Sequence, residues 1–124
     1  MPSTRQPKRD RMDVYALFAA LDAARMERNL RWWQVAEEAQ VSQSTLTRLG
    51  QGRRPDIDGA LALTHWLGLP LETFERDAQG EPTRQTPPLA EMVALLRADK
   101  TLTPDGREML DRLIRSTYQQ FKKK

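Results

Sequence analysis

The stretch "QVSQSTLTRLGQGRRP" (residues 40–55) decides the fold. By composition it reads as a loop, because only Val41, Leu46 and Leu49 are aliphatic among hydroxyls, amides, glycines and arginines. By spacing it reads as a helix. Ser42 suits an N-cap, its hydroxyl placed to accept a backbone N–H two or three residues on. A helix then runs to about Gly50, and Gly52 ends it. Leu46 and Leu49 share one face with Thr45 beside them, while Gln43, Ser44, Thr47, Arg48 and Gln51 share the other. The expectation is a short amphipathic helix with an apolar inner face and a hydrogen-bonding outer face.

Helical patterns lie on both sides of it. Upstream, Trp32, Val35, Ala36 and Ala39 fall on one side of a helix from about Arg31 to Ala39. Ala36 is small enough to let another helix approach. Trp33 sits about a quarter turn off that stripe and is expected to be partly buried against the first helix. That first helix spans about Asp13 to Asn29, with Asp13 as N-cap and Val14, Leu17, Phe18, Leu21 and Ala24 or Arg25 at helical spacing. Residues 1–12, rich in charge and lacking an apolar period, read as a flexible basic arm. Downstream, a fourth helix is expected over about Asp58–Leu67, burying Leu61, Leu63, Thr64 and Leu67, with Gly68 as its stop. A fifth is expected over about Pro70–Asp77, burying Leu71 and Phe74. The domain boundaries are therefore set at 13–78.

Residues 79–88, "QGEPTRQTPP", hold three prolines and a glycine and read as a linker. Residues 89–124 follow as a helical pair with a basic tail. Leu89, Met92, Val93 and Leu96 make the first stripe. Thr103 caps the second helix, with Pro104 at its first position and Asp105 in its first turn. Leu110, Leu113, Ile114, Thr117 and Phe121 make its stripe, flanked by Met109 and Tyr118. A core is usually insufficient below ~40 residues. This pair must therefore dock on the first five helices or pair with another copy, and Leu110, Leu113, Ile114 and Phe121 are the residues assigned to that dimerisation or docking. Lys122–Lys124 reads as a solvated tail.

Charge is unevenly spread over the 124 residues, whose formal net charge is +3. Residues 25–54 carry six arginines against three glutamates, and residues 55–81 carry six carboxylates against one arginine. A fold polarised in this way can present its basic side to a polyanion. The chain has no cysteine, which rules out disulfides and thiolate zinc sites and fits a cytoplasmic location. The apolar run Val14–Leu21 is too short for a membrane span, which needs about 20 residues. Nothing points to an enzyme. His65 is the only histidine. Glu37 and Glu38 are adjacent on a helix and so point about 100° apart. No metal-ligand spacing or phosphate-binding glycine loop is present, and no metal or other cofactor is expected.

Two short helices joined by a tight turn make a helix-turn-helix arrangement, whose second helix can enter a major groove about 12 Å wide. Here "LDAARMERNLRWWQVAEEAQVSQSTLTRLGQGRRP" (residues 21–55), followed by "ALALTHWLGLPLETF" (residues 60–74), resembles the Cro/C1-type, or XRE, family of DNA-binding domains. The resemblance implies an all-α protein: a five-helix domain that binds double-stranded DNA, usually as a homodimer, and most often regulates transcription. Here it carries a C-terminal two-helix extension. The family often has glycine where Gln40 stands and glutamine where Trp32 stands. A left-handed backbone at Gln40 costs about 1 kcal/mol or a little more. Gly50 weakens the end of its helix by about 1 kcal/mol relative to alanine.

On that resemblance Gln43, Ser44, Thr47 and Arg48 are the candidates for base readout. Gln43 suits adenine and Arg48 suits guanine, and the Thr47 methyl suits thymine. Arg53 and Arg54, with Arg31 and the indole N–H of Trp32, are the candidates for phosphate contact. The expected mechanism is repression by promoter occlusion. Two alternatives stand beside it: an antitoxin-type protein that binds a protein partner through its C-terminal helices and autoregulates its operon, and an interaction module that does not bind DNA.

Overall fold

The computed structural model describes residues 11–83 and 87–123. The chain divides into two compact units, Met1–Arg84 and Gln85–Lys124. Both are built from α-helices, and the only sheet among the described residues is two short antiparallel strands.

In the first unit, strand β1 (Arg11–Met12) leads into helix α1 (Val14–Glu27), and the Asp13 carboxylate caps it by accepting the Ala16 backbone N–H at 2.9 Å. Leu17 and Leu21, four residues apart on one face, are fully buried. Helix α2 (Trp32–Ala39) starts with the Gln34 side chain accepting the Arg31 backbone N–H at 2.8 Å. It buries Val35, Ala36 and Ala39. Its end is a left-handed residue, Gln40 at φ 63°, and the Val41 N–H returns to the Ala36 carbonyl at 3.0 Å. This 6→1 bond is the Schellman ending, which satisfies an otherwise orphaned carbonyl.

Helix α3 (Gln43–Gly50) is the polar stretch of the opening. Ser42 Oγ accepts the Thr45 backbone N–H at 3.1 Å, and Leu46 and Leu49 are 4 % and 2 % exposed. Helix α4 (Ile57–Leu67) is capped by Asp56, which accepts the Gly59 N–H at 2.7 Å, and ends at Gly68 with φ 76°. It buries Ala60, Leu63 and Thr64. Leu61, expected in the core, is 49 % exposed. Ala60 occupies the inner position instead, and Thr64 is buried because its hydroxyl donates to the Ala60 carbonyl at 2.9 Å.

The expected fifth helix over Pro70–Asp77 is shorter than predicted. Leu71–Phe74 forms one 3-10 turn, and Glu75–Arg76 becomes strand β2, paired antiparallel with β1 so that Arg11 faces Arg76 and Met12 faces Glu75. The segment's apolar residues, Leu71 and Phe74, are three apart, which a 3-10 turn places on one line without a longer helix. Phe74 is buried and its carbonyl accepts the Asp13 N–H at 2.7 Å. Arg76 pairs with the Asp13 carboxylate at 2.9 Å. Asp13 thus fastens the start of α1 to the end of the unit. Residues 11 and 12 of the expected arm are strand, and residues 1–10 lie outside the described residues. Asp77–Thr83 turns back on itself: Asp77 Oδ1 accepts the Gln79 and Glu81 N–H groups, each at 2.9 Å, and Arg76 bridges Pro82.

The core joins Leu17 and Leu21 to Val35, Ala36, Leu46, Leu49 and Leu63, closed by Phe74. Fully burying one such leucine contributes about 1.5–3 kcal/mol. The inner faces of α2 and α3 therefore hold both helices against α1 and α4.

The second unit is a hairpin of helices α5 (Pro88–Ala98) and α6 (Pro104–Phe121). Thr103 caps α6 by accepting the Gly106 N–H at 3.0 Å. Asp99 shapes the connection, accepting the Thr101 N–H at 2.8 Å and its hydroxyl at 2.6 Å. These two bonds, the hydroxyl first, hold the Asp99 carboxyl below its ordinary pKa.

Candidate nucleic-acid interface

The outer face of α3 is set by its caps and its two leucines. Because Leu46 and Leu49 point into the core, Gln43, Ser44, Thr47 and Arg48 are all exposed. The hydroxyls along this helix are not equally available. Thr47 donates its proton to the Gln43 carbonyl at 3.1 Å, which leaves its lone pairs and methyl for an incoming group. Ser44 shares a hydrogen bond of 3.0 Å with Ser42, whose Oγ also meets Thr45 Oγ1 at 2.9 Å. The side chains of Gln43 and Arg48 have no hydrogen-bond partner among the described residues, so both can bond outward without breaking a bond.

Trp32 borders this face rather than standing apart from it. Its ring stacks on Phe18 with centroids 4.9 Å apart and planes 16° from parallel, and the Arg25 guanidinium lies 5.0 Å from its centroid. Arg25 is itself fixed by Asp22 at 2.7 Å and by the Leu30 carbonyl at 3.0 Å. Phe18, Trp32, Gln43, Leu46, Thr47 and Gly50 line a hollow of about 200 Å³. The structure thus brings Trp32 beside two of the base-readout candidates. Gly50 has a packing reason: a Cβ there would lie 3.2 Å from the Phe18 ring.

Arg31 is exposed at the entry to α2. Arg53 and Arg54 are exposed after α3, where the Arg53 N–H bonds the Arg48 carbonyl at 2.9 Å. Arg54 lines a separate hollow of about 160 Å³ with Arg11, Met12, Leu71 and Glu75, beside β1.

The two other tryptophans differ in their surroundings. Trp33 is 49 % exposed, so its ring is only half covered, while the stack on Phe18 of α1 is made by Trp32. Trp66 is partly buried against the core, its indole N–H donating to Glu38 at 3.0 Å and its ring 4.4 Å from the Arg28 guanidinium carbon. Tyr15 was not singled out by the sequence. It is 79 % exposed, and its hydroxyl lies 3.4 Å from where a Cβ on Gly52 would be, next to the turn that follows α3. The available signal was an aromatic residue just off the α1 stripe.

Among the described residues, no helix is long and apolar enough to cross a membrane, and no group of three acidic or histidine side chains is placed to hold a metal ion. No family model matches the chain, and no curated protein matches it. Among solved structures, a transcriptional regulator from Listeria innocua is similar over 86 % of this chain and 96 % of its own, with 18 % identity and a TM-score of 0.41. The functional reading rests on the residues of this chain.

Proposed function

We propose that the chain binds duplex DNA in a sequence-dependent manner through α3 and acts as a transcriptional regulator, by occluding a promoter. The observation that carries this reading is the division of α3: two leucines anchored in the core, and Gln43, Ser44, Thr47 and Arg48 exposed on the outer side. A helix of this kind at the second position of a helix-turn-helix is suited to lie in a major groove with its N-terminal residues on base edges. Gln43 pairs with adenine and Arg48 with guanine, each good bidentate pair discriminating by about 1–3 kcal/mol. Ser44 bonds a base edge or a phosphate. Thr47, its proton already committed, offers its methyl to thymine and a lone pair to a donor.

In this reading Arg31, Arg53 and Arg54 contact phosphates, and Trp32 donates its indole N–H to the backbone while its ring stays stacked on Phe18. Tyr15 joins them at the Gly52 turn. The experiment is selection of bound duplexes from a random pool, followed by affinity measurements over a range of salt concentrations. An enriched sequence is expected, with preference reduced at separate positions in Gln43→Ala and Arg48→Ala. Arg53→Ala is expected to weaken binding evenly across sequences and to lower the salt slope by about one. An unchanged slope would remove Arg53 from the interface.

A further inference from the structure

The outer face of α3 is hydrogen-bonding except at one place. Phe18 of α1, Trp32 of α2 and Leu46 of α3 wall the hollow of about 200 Å³ whose other lining residues are Gln43, Thr47 and Gly50. Phe18 and Trp32 are stacked, so each ring fixes the other, and Leu46 is anchored in the core. Gly50 keeps the Phe18 ring in place, because a Cβ there would press on it from 3.2 Å. No charged residue lines the hollow. The nearby Arg25 guanidinium is already committed, its nitrogens bonding the Asp22 carboxylate and the Leu30 carbonyl. A phosphate placed here would lose water and gain no cation, which is costly. The hollow suits an uncharged apolar group.

A helix that lies in a major groove with Gln43 and Thr47 over base edges brings this hollow against the same edges. The apolar group that a base pair presents there is the C5 methyl of a pyrimidine, and the other groups are donors and acceptors. The hollow has room for that methyl together with the C5–C6 edge of its ring. We infer that the Phe18–Trp32–Leu46 hollow receives a pyrimidine C5 methyl, so that recognition depends on this one group. The inference rests on the DNA-binding reading of α3 and deepens it. Phe18 and Trp32, on two other helices, become specificity-determining residues beside the recognition helix. Thymine carries the methyl and so does 5-methylcytosine, and it is the methyl that the hollow takes.

The test uses the full chain and a duplex selected from a random pool. Each thymine in turn is replaced by deoxyuridine, and each cytosine by 5-methylcytosine, which changes one methyl and no hydrogen-bonding group. At one position the methylated form is expected to bind about three- to fivefold more tightly at fixed salt, as for one methyl removed from water. An effect at a thymine assigns the methyl to thymine, and an effect at a cytosine assigns it to 5-methylcytosine. Trp32→Gln removes one wall but keeps a side-chain N–H for the phosphate. It is expected to bring that ratio to about one while the preference at the Arg48 position stays. Thr47→Ser leaves both rings in place and is expected to retain most of the ratio. Indifference of wild type to every methyl overturns the inference, while the enriched duplex leaves the DNA-binding reading standing. A ratio lost in Thr47→Ser but kept in Trp32→Gln overturns it too, since the methyl then sits on Thr47 alone. Failure to enrich any duplex overturns both readings. The methyl comparison needs only wild type, so it decides the matter should Trp32→Gln unfold.

Discussion

Gln40 occupies the tightest corner of the first unit, with φ 63° in the left-handed region that side chains with a Cβ pay about 1–2 kcal/mol to enter. The Val41 and Gln40 N–H groups both return to the last turn of α2, so the corner is over-determined and the strain is tolerated. Gln40→Gly is expected to raise stability by up to about 1 kcal/mol, part of the relief being offset by the greater freedom of glycine in the unfolded chain. A urea titration measures it, and a loss of stability would mean that the Gln40 side chain contributes a contact that outweighs the strain. Gly50 is the opposite case. Helix propensity alone makes Gly50→Ala stabilising by about 1 kcal/mol. The Phe18 ring, 3.2 Å from the new Cβ, is expected to cancel that gain. The left-handed corner at Gln40 was legible only through the family resemblance, in which glycine often stands at this position. The reason for Gly50 was not, because Phe18 is 32 residues away in the chain and only the packing of α1 on α3 brings the two together.

At the scale of the element, α3 depends on its cap. Ser42 Oγ accepts the Thr45 N–H and also meets the Ser44 and Thr45 hydroxyls, so Ser42→Ala removes one cap bond and loosens two side chains at the start of the polar face. A loss of about 1 kcal/mol is expected in a denaturant titration, within the usual range for a cap. The α5–α6 hairpin depends on a different device. Bonds from Arg115, then from Arg97, hold the Asp111 carboxyl below its ordinary pKa of 3.8. A depressed carboxylate contributes stability that is fully present above the unfolded-state pKa and is lost as pH falls through the lower folded-state value. Asp111→Asn is therefore expected to lower the melting temperature at neutral pH, and the gap from wild type should close only below about pH 4. A gap independent of pH would show that the carboxylate's charge is not what matters. Helices α1 to α4 and α6 follow from periodicity and caps that are local in sequence. The end of the unit does not, since strand β2 exists only because β1 lies alongside it, and Leu61 is exposed because Ala60 packs in its place.

Across the whole molecule, the polar face of α3 and the exposed arginines after it lie in the basic part of the chain, while residues 55–81 carry six carboxylates against one arginine. Binding to a polyanion should therefore weaken steeply with salt, with a slope of about −0.9 for each phosphate neutralised. The arrangement of α3 was readable from residues 40–55 because burial and exposure alternate there with helical spacing. Trp32 was named from the sequence, but its stack on Phe18 was not readable there, nor was the approach of Tyr15 to the Gly52 turn. The central claim is that the outer face of α3 reads bases. It is tested most directly by selecting duplexes from a random pool with the full-length protein and measuring affinity for the winner against a scrambled duplex at one fixed salt concentration. The account predicts a clear preference for the selected sequence that drops by about tenfold or more in Gln43→Ala/Arg48→Ala, with binding to the scrambled duplex reduced far less. Equal affinity of the wild-type protein for the selected and scrambled duplexes would contradict it.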